Sequence, residues 1–242
     1  MTAGLRVLCL SNMWPGPVDP DYGAFVAEMC GALEGLGMTV DPVFIDRRAG
    51  GPARTPAKYG SLAARAARHA RRADVIYAHY LFPTAAAAAL AGRTAGIPYV
   101  VTAHGGDVRN LERATVRRAS AASLRSAAAI IAVSRHLAQE LRATGVALPP
   151  VHVVNMGVDM DRFTPGDRGE ARARLVLDGD APLILPVGGL TDRQHPIAPL
   201  HALVRVRAAP PPATPASAGA GPPAPSADIG SPPRRPPAPV RP

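Results

Sequence analysis

Lysine is almost absent from this chain. Lys58 is the only one, so arginine carries nearly all the basic charge behind a formal net charge of +9. Alanine is abundant as well, a bias that fits GC-rich coding as readily as a functional demand. Cysteine is scarce: Cys9 and Cys30 are the only two. They form neither a metal-ligand spacing nor a disulfide framework, so both are expected to be small core residues in a reducing cytoplasm. No apolar run approaches the roughly 18 residues of a membrane span, and the run at residues 7–10 is too short for a secretory signal core. The expectation is a soluble chain, or one held to a membrane only at its surface. The positive charge admits anions such as phosphate groups, anionic lipid or nucleic acid, although solvated arginines need no partner.

What the chain has is a regular alternation. Apolar runs at residues 5–10, 40–45, 75–78, 97–101, 129–133 and 151–154 read as buried strands. Between them, segments with apolar residues at helical spacing predict helices at 23–36, 58–72, 83–95, 108–126 and 134–144, with Ser134 placed as an N-cap. Residues 49–57, rich in Gly and Pro, read as a loop, and Trp14 sits in a long, exposed loop after the first strand. Strictly alternating strands and helices mean α/β: a doubly wound, mostly parallel, Rossmann-like sheet of six or seven strands over about residues 3–165. Residues 170–177 predict a short helix, and 183–187 a further strand that opens a second α/β unit. From Pro210 to Pro242 the chain is mostly Pro, Ala, Gly, Ser and Arg, a composition expected to stay disordered.

One stretch draws the chemistry together. Thr102-Ala103-His104-Gly105-Gly106-Asp107 follows the fourth strand. It places an imidazole and a carboxylate at the C-terminal edge of the sheet, where open α/β sheets bind ligands. His79 and Tyr80 end the third strand in the same way. A metal site from His79, His104 and Asp107 is possible by ligand type, but the spacing matches no metal pattern. A nicotinamide site is excluded, because Ser11-Asn12-Met13-Trp14-Pro15-Gly16 is not the glycine-rich fingerprint that would follow the first strand.

These motifs, with Tyr22-Gly23-Ala24-Phe25-Val26, Phe44-Ile45-Asp46-Arg47, Ile131-Ala132-Val133-Ser134, and Asn155-Met156-Gly157-Val158-Asp159 leading to Phe163-Thr164-Pro165, stand in a characteristic order. In that order the chain resembles the family-4 glycosyltransferases of the GT-B fold, in which two Rossmann-like domains face each other across a cleft. The similarity is strongest to bacterial enzymes that build surface polysaccharides. It implies three segments: an N-terminal acceptor-side domain at 1–165, a linker and truncated start of a donor-binding domain at 166–209, and the tail at 210–242.

The resemblance also implies roles. Gly23 corresponds to the loop glycine whose backbone approaches the donor diphosphate at a helix N-terminus, an arrangement that suits an anion. His104 corresponds to the histidine near the reacting carbon of the donor sugar, and Asp107 either orients it or binds a sugar hydroxyl. Trp14, Tyr22, His79 and Tyr80 are acceptor-side candidates. Plainer readings stay open: a turn glycine at 23, a backbone-satisfied histidine at 104, a packing or hydrogen-bonding histidine at 79. The implied donor is a nucleotide-diphosphate sugar used without metal or other cofactor, with retention at the anomeric carbon. The implied partner is a sugar or lipid-linked acceptor, with no nucleic acid. Arg65, Arg68, Arg72, Arg109, Arg113 and Arg117 form a candidate face for anionic membrane lipid, or an ordinary solvated one.

The pattern fails near residue 194. Arg193 keeps a diphosphate-binding position, but Gln194-His195-Pro196 stands where Lys-Gly is expected, and no glutamate follows Glu170. The family's pair of glutamates that holds the donor is therefore missing, and the chain is expected to be inactive alone. Two explanations remain: a frameshift near residue 194, favoured by the abrupt change of composition inside a motif, or a genuine half-domain that binds an acceptor or a partner subunit.

Overall fold

The structure, a computed structural model, describes residues 4–46, 51–177, 182–187, 195 and 197–208. The chain divides into two compact units, Met1–Thr164 and Pro165–Pro242.

The first unit is a single sheet of six strands, all parallel: β1 (Arg6–Ser11), β2 (Thr39–Phe44), β3 (Val75–His79), β4 (Tyr99–Ala103), β5 (Ala129–Ala132) and β6 (Val151–Val153). Their order is β2-β1-β3-β4-β5-β6. After its first residue, β1 is buried throughout, as expected of a parallel strand covered on both faces. Leu8, Leu10, Ile76, Ala78, Val101 and Ile130 form the centre of the larger core cluster. The order reverses between β1 and β3, which makes the loops leaving those two strands the switch point of the sheet.

The connections are helical. Helix α1 (Ala24–Gly35) follows β1, α2 (Gly51–Ala70) follows β2, and α3 (Thr84–Ala95) follows β3. After β4 come α4 (Gly106–Asn110) and α5 (Ala114–Arg125), and α6 (Arg135–Ala143) joins β5 to β6. Ser134 caps α6 as its position suggests: its Oγ accepts a hydrogen bond from the Leu137 N–H at 3.1 Å.

Four expectations need correction. The predicted loop at 49–57 is helical from Gly51 onward, with Pro56 inside α2. Pro56 lies in the second turn, so it removes one intrahelical hydrogen bond there, and the stripe Leu62, Ala66 and Ala70 anchors the helix in the core. The predicted single helix at 108–126 is two. Leu111 is fully buried and Arg113 is extended (φ −73°, ψ 117°), so the chain turns between α4 and α5. The strands β1–β6 and their intervening helices otherwise occur where expected, with ends moved by one or two residues. Trp14 is half-buried rather than exposed, its ring stacked on Phe44 with centroids 4.6 Å apart.

The second unit contains α7 (Arg168–Arg174), capped by the Asp167 carboxylate, which accepts from Glu170 N–H at 2.8 Å, and α8 (Ala198–Ala208). The fourth correction lies here. Residues 182–187 form no strand, and Leu183, Ile184, Leu185 and Val187 are all exposed. Their apolar run has no ladder partner among the described residues, so pattern alone does not make them a strand. Arg193 and the tail from Pro210 lie outside the described residues.

Candidate functional site

The C-terminal ends of β1, β3 and β4 converge on one place, and the loops that leave them supply its residues. Gly23 opens the site from the β1 side. Its φ is +79°, and a Cβ at this position would lie 2.6 Å from the carbonyl carbon of Met13 and 2.7 Å from its oxygen. Only glycine accepts both the left-handed backbone and the close approach. The result is an α1 N-terminus folded tightly back on the loop that leaves β1, and Tyr22 and Ser11 hold that loop. The Tyr22 hydroxyl donates to the Asn12 carbonyl at 3.0 Å, and the buried Ser11 hydroxyl donates to the Met13 carbonyl at 2.7 Å.

Asp107 is the hub between the other two loops. Its Oδ1 accepts from the backbone N–H groups of His104 (3.0 Å), Gly105 (2.8 Å) and Val108 (3.1 Å). Its Oδ2 accepts from Leu81 N–H at 3.0 Å, across to the loop after β3. With both oxygens engaged and the residue buried, Asp107 holds the backbone around His104 rather than its ring. Four N–H donors converging on one carboxylate are strong, charge-assisted bonds. Gly105, at φ +108°, makes the turn into α4.

His104 is half-buried and surrounded by rings. Phe25 lies 5.0 Å away, Tyr80 4.7 Å and His79 5.3 Å, centroid to centroid. Tyr80 holds its ring there from a left-handed backbone, φ +77°, a costly conformation for a non-glycine residue that tends to mark functional sites. His79 is fully buried, and its Nδ1 lies 3.1 Å from His104 Nε2. Burial pushes His79 down to about 3, helped by the neighbouring imidazole. Burial also lowers His104, against the opposing pull of the Asp107 carboxylate. Both rings are therefore neutral near pH 7.

Phe25 also forms one wall of a cavity of about 460 Å³, between α1 and the segment after β6, with Met29, Met156, Asp159, Arg162 and Phe163 among its lining. Sequence reasoning missed Phe25 as a site residue. Its helical spacing with Val26 and Met29 reads as core, and the hint was its place two residues after Gly23, inside the Tyr22–Val26 motif. Of the predicted residues, the fold brings Gly23, Tyr80, His104 and Asp107 to the switch point, with His79 behind them. Trp14 lies farther along the loop from β1, stacked on Phe44. Arg193 is outside the described residues.

The basic face is mixed. Arg65 donates to the Phe44 carbonyl at 3.1 Å and Arg117 approaches the Leu111 carbonyl at 3.5 Å, while Arg68, Arg72, Arg109 and Arg113 are exposed. Among the described residues no three His, Cys, Asp or Glu side chains are grouped to hold a metal ion, and no helix is long and apolar enough to cross a membrane. Cys9 and Cys30 are both buried free thiols. The Cys30 thiol, together with burial, pushes Cys9 up.

A parallel α/β sheet with a helix N-terminus at its switch point and a His-Gly-Gly-Asp turn beside it, after β4, defines a Rossmann-like domain built to meet a ligand at its strand ends. Residues 3–162 match Glycosyltransferase Family 4, and the chain belongs to that family. D-inositol 3-phosphate glycosyltransferase 1 of Catenulispora acidiphila is 37% identical over 125 residues, covering 48% of this chain and 30% of the relative. A Bacillus subtilis protein named for teichuronic acid biosynthesis, TuaC, is 34% identical over 121 residues, covering 48% of this chain and 31% of its own. The chain thus spans about a third of the length of these curated relatives. Among solved structures, a sucrose-phosphate synthase from Thermosynechococcus elongatus shares the fold at a TM-score of 0.61 and 18% identity, covering 84% of this chain and 60% of that one.

Proposed function

We propose that this chain is the acceptor-side half of a retaining glycosyltransferase that uses a nucleotide-diphosphate sugar without a metal. The observation that carries the reading is the approach of His104, from the loop after β4, to Phe25 beside Gly23 at the start of α1, next to the β1/β3 switch point. In this reading the α1 N-terminus receives the donor diphosphate, since the positive end of the helix dipole there favours an anion. His104 contacts the transferred sugar, Asp107 fixes the loop that carries it, and Tyr80 and Phe25 shape the walls. Catalysis by such a site is positional and electrostatic.

The acceptor is a sugar, a sugar or polyol phosphate, or a lipid-linked glycan of surface polysaccharide synthesis. Support comes from relatives named for D-inositol 3-phosphate and for teichuronic acid. A cytoplasmic protein whose exposed Arg68, Arg72, Arg109 and Arg113 meet anionic lipid suits the lipid-linked case. These 242 residues alone are not expected to complete the transfer, since the family match covers residues 3–162. The second reading is a non-catalytic half-domain that binds an acceptor or partner.

The test is a titration of the isotope-labelled chain with uridine and guanosine diphosphate sugars, followed by amide shifts. The expected result is weak binding with shifts concentrated at Gly23, Ala24, His104 and Gly105. Little change in melting temperature is expected, because stabilisation grows only when ligand greatly exceeds the dissociation constant. Shifts scattered elsewhere, or none at the solubility limit, would remove the donor role. Robust turnover by the purified chain would overturn its incompleteness.

A further inference from the structure

The His79–His104 pair holds more information than a packing contact does. His79 is fully buried, and its Nε2 has no hydrogen-bond partner among the described residues. Tyr77 lies close, with ring centroids 4.5 Å apart, but its hydroxyl accepts from the Thr102 hydroxyl at 3.0 Å. Only His79 Nδ1 has a partner, His104 Nε2 at 3.1 Å. Two neutral imidazoles share one proton across such a contact, and there are two ways to place it.

In the first, His104 Nε2–H donates to His79 Nδ1. Neutral His79 must then carry its own proton on Nε2, as a buried N–H with no acceptor. In the second, His79 Nδ1–H donates to His104 Nε2, and what remains on His79 Nε2 is a bare lone pair. Either orphan costs desolvation, but buried backbone N–H groups are left without a partner more rarely than carbonyl acceptors are left under-satisfied, and the same asymmetry applied to the ring nitrogens disfavours the orphan N–H. A doubly protonated His79 is worse still, since it buries a charge together with the orphan N–H. The second arrangement wins.

We infer that His79 is a positioning residue for His104: it donates Nδ1–H to His104 Nε2 and thereby fixes the proton of His104 on Nδ1. This is the opposite of the tautomer that free histidine favours in water. With Nε2 occupied, the Nδ1–H is the one polar group the His104 ring has left for a ligand. His104 then presents a hydrogen-bond donor, suited to a hydroxyl or phosphate oxygen, and takes no proton from one. The functional meaning rests on the proposed role of His104 at the sugar. The proton placement does not.

The experiment is a long-range nitrogen–proton correlation spectrum of the full 242-residue chain at neutral pH, without ligand. His104 signals are assigned by their loss in His104→Gln. The expected wild-type pattern is protonated Nδ1 and bare Nε2 at His104. In His79→Phe, which keeps a ring of similar size but no donor, the His104 pattern shifts toward protonated Nε2. His79→Asn, whose amide can stand in for Nδ1–H, restores the wild-type pattern. A wild-type His104 protonated on Nε2 overturns the inference, and this measurement needs no variant to fold. An unchanged pattern in a folded His79→Phe overturns it as well. Because no donor sugar is present, failure of nucleotide-sugar binding leaves this result intact, and the two claims fail separately.

Discussion

A buried, neutral histidine ties stability to acidity in a direction fixed by its surroundings. In the folded chain His79 is held down to about 3, against an ordinary 6.5. Between those values the unfolded chain binds the proton that the folded chain refuses, so folding becomes less favourable as pH falls. His79 therefore contributes no penalty above about pH 6.5. Below that, stability drops progressively, with a slope on the order of 1 kcal/mol per pH unit through the middle of the window. Urea unfolding of wild type and His79→Phe between pH 4 and 7 checks this. The expected outcome is a steeper loss in wild type, and parallel curves would mean that His79 is not the group responsible. At the same scale, what is legible from residues alone is uneven. His104 and Asp107 can be placed because a strand running into His-Gly-Gly-Asp is a local pattern. The service Asp107 performs, gathering four backbone N–H groups from two loops, depends on Leu81, 26 positions away. No local pattern reports such a distance.

At the level of elements, the two special glycines differ in kind, and that difference can be measured. Gly23 combines φ +79° with backbone atoms of Met13 less than 3 Å from where a Cβ would stand, whereas at Gly105 (φ +108°) the nearest obstacle is the Leu137 Cδ1 at 3.9 Å. Gly105→Ala therefore carries backbone strain alone, about 1–3 kcal/mol. Gly23→Ala adds a clash that only movement of the β1–α1 loop can relieve, so it is expected to be the more destabilising of the two. Denaturant midpoints of both variants give the ranking, and a reversed order would mean that the loop yields easily. Elements also mark where periodicity reads correctly and where it does not. Most of the intervening helices are legible because their apolar stripes face a sheet. The break at Leu111–Arg113 is not, since it carries neither proline nor glycine and is set by Leu111 dropping into the core. Helix α2 begins earlier than expected for the converse reason, with packing along Leu62, Ala66 and Ala70 outweighing Pro56. Phe25 is hidden by its own regularity, because a residue at core spacing gives no sign that it also walls a cavity.

For the whole molecule, the contrast lies between a six-stranded sheet and an apolar run with no ladder partner among the described residues. Leu183, Ile184, Leu185 and Val187 are between 46% and 86% exposed, and contiguous exposed apolar surface of this sort promotes association. Leu185→Asp is expected to raise solubility and reduce light scattering, while the unfolding midpoint of the first unit stays within about 0.5 kcal/mol of wild type, as for surface substitutions away from special features. A fall in that midpoint would show that the run already packs against something. The composition points to this run as a strand because four aliphatics around a proline look the same whether or not neighbours exist. Pairing is a property of the assembled sheet.

The carboxylate of Asp107 has one more consequence, for anyone wishing to transplant this site. Because it binds N–H groups from the loops after both β3 and β4, those loops are not separate modules. A recipient scaffold given only the His-Gly-Gly-Asp segment would receive an acid with a donor missing, and one given only the segment around Tyr80 and Leu81 would receive an amide with no acid to meet. The two loops must be exchanged as one piece.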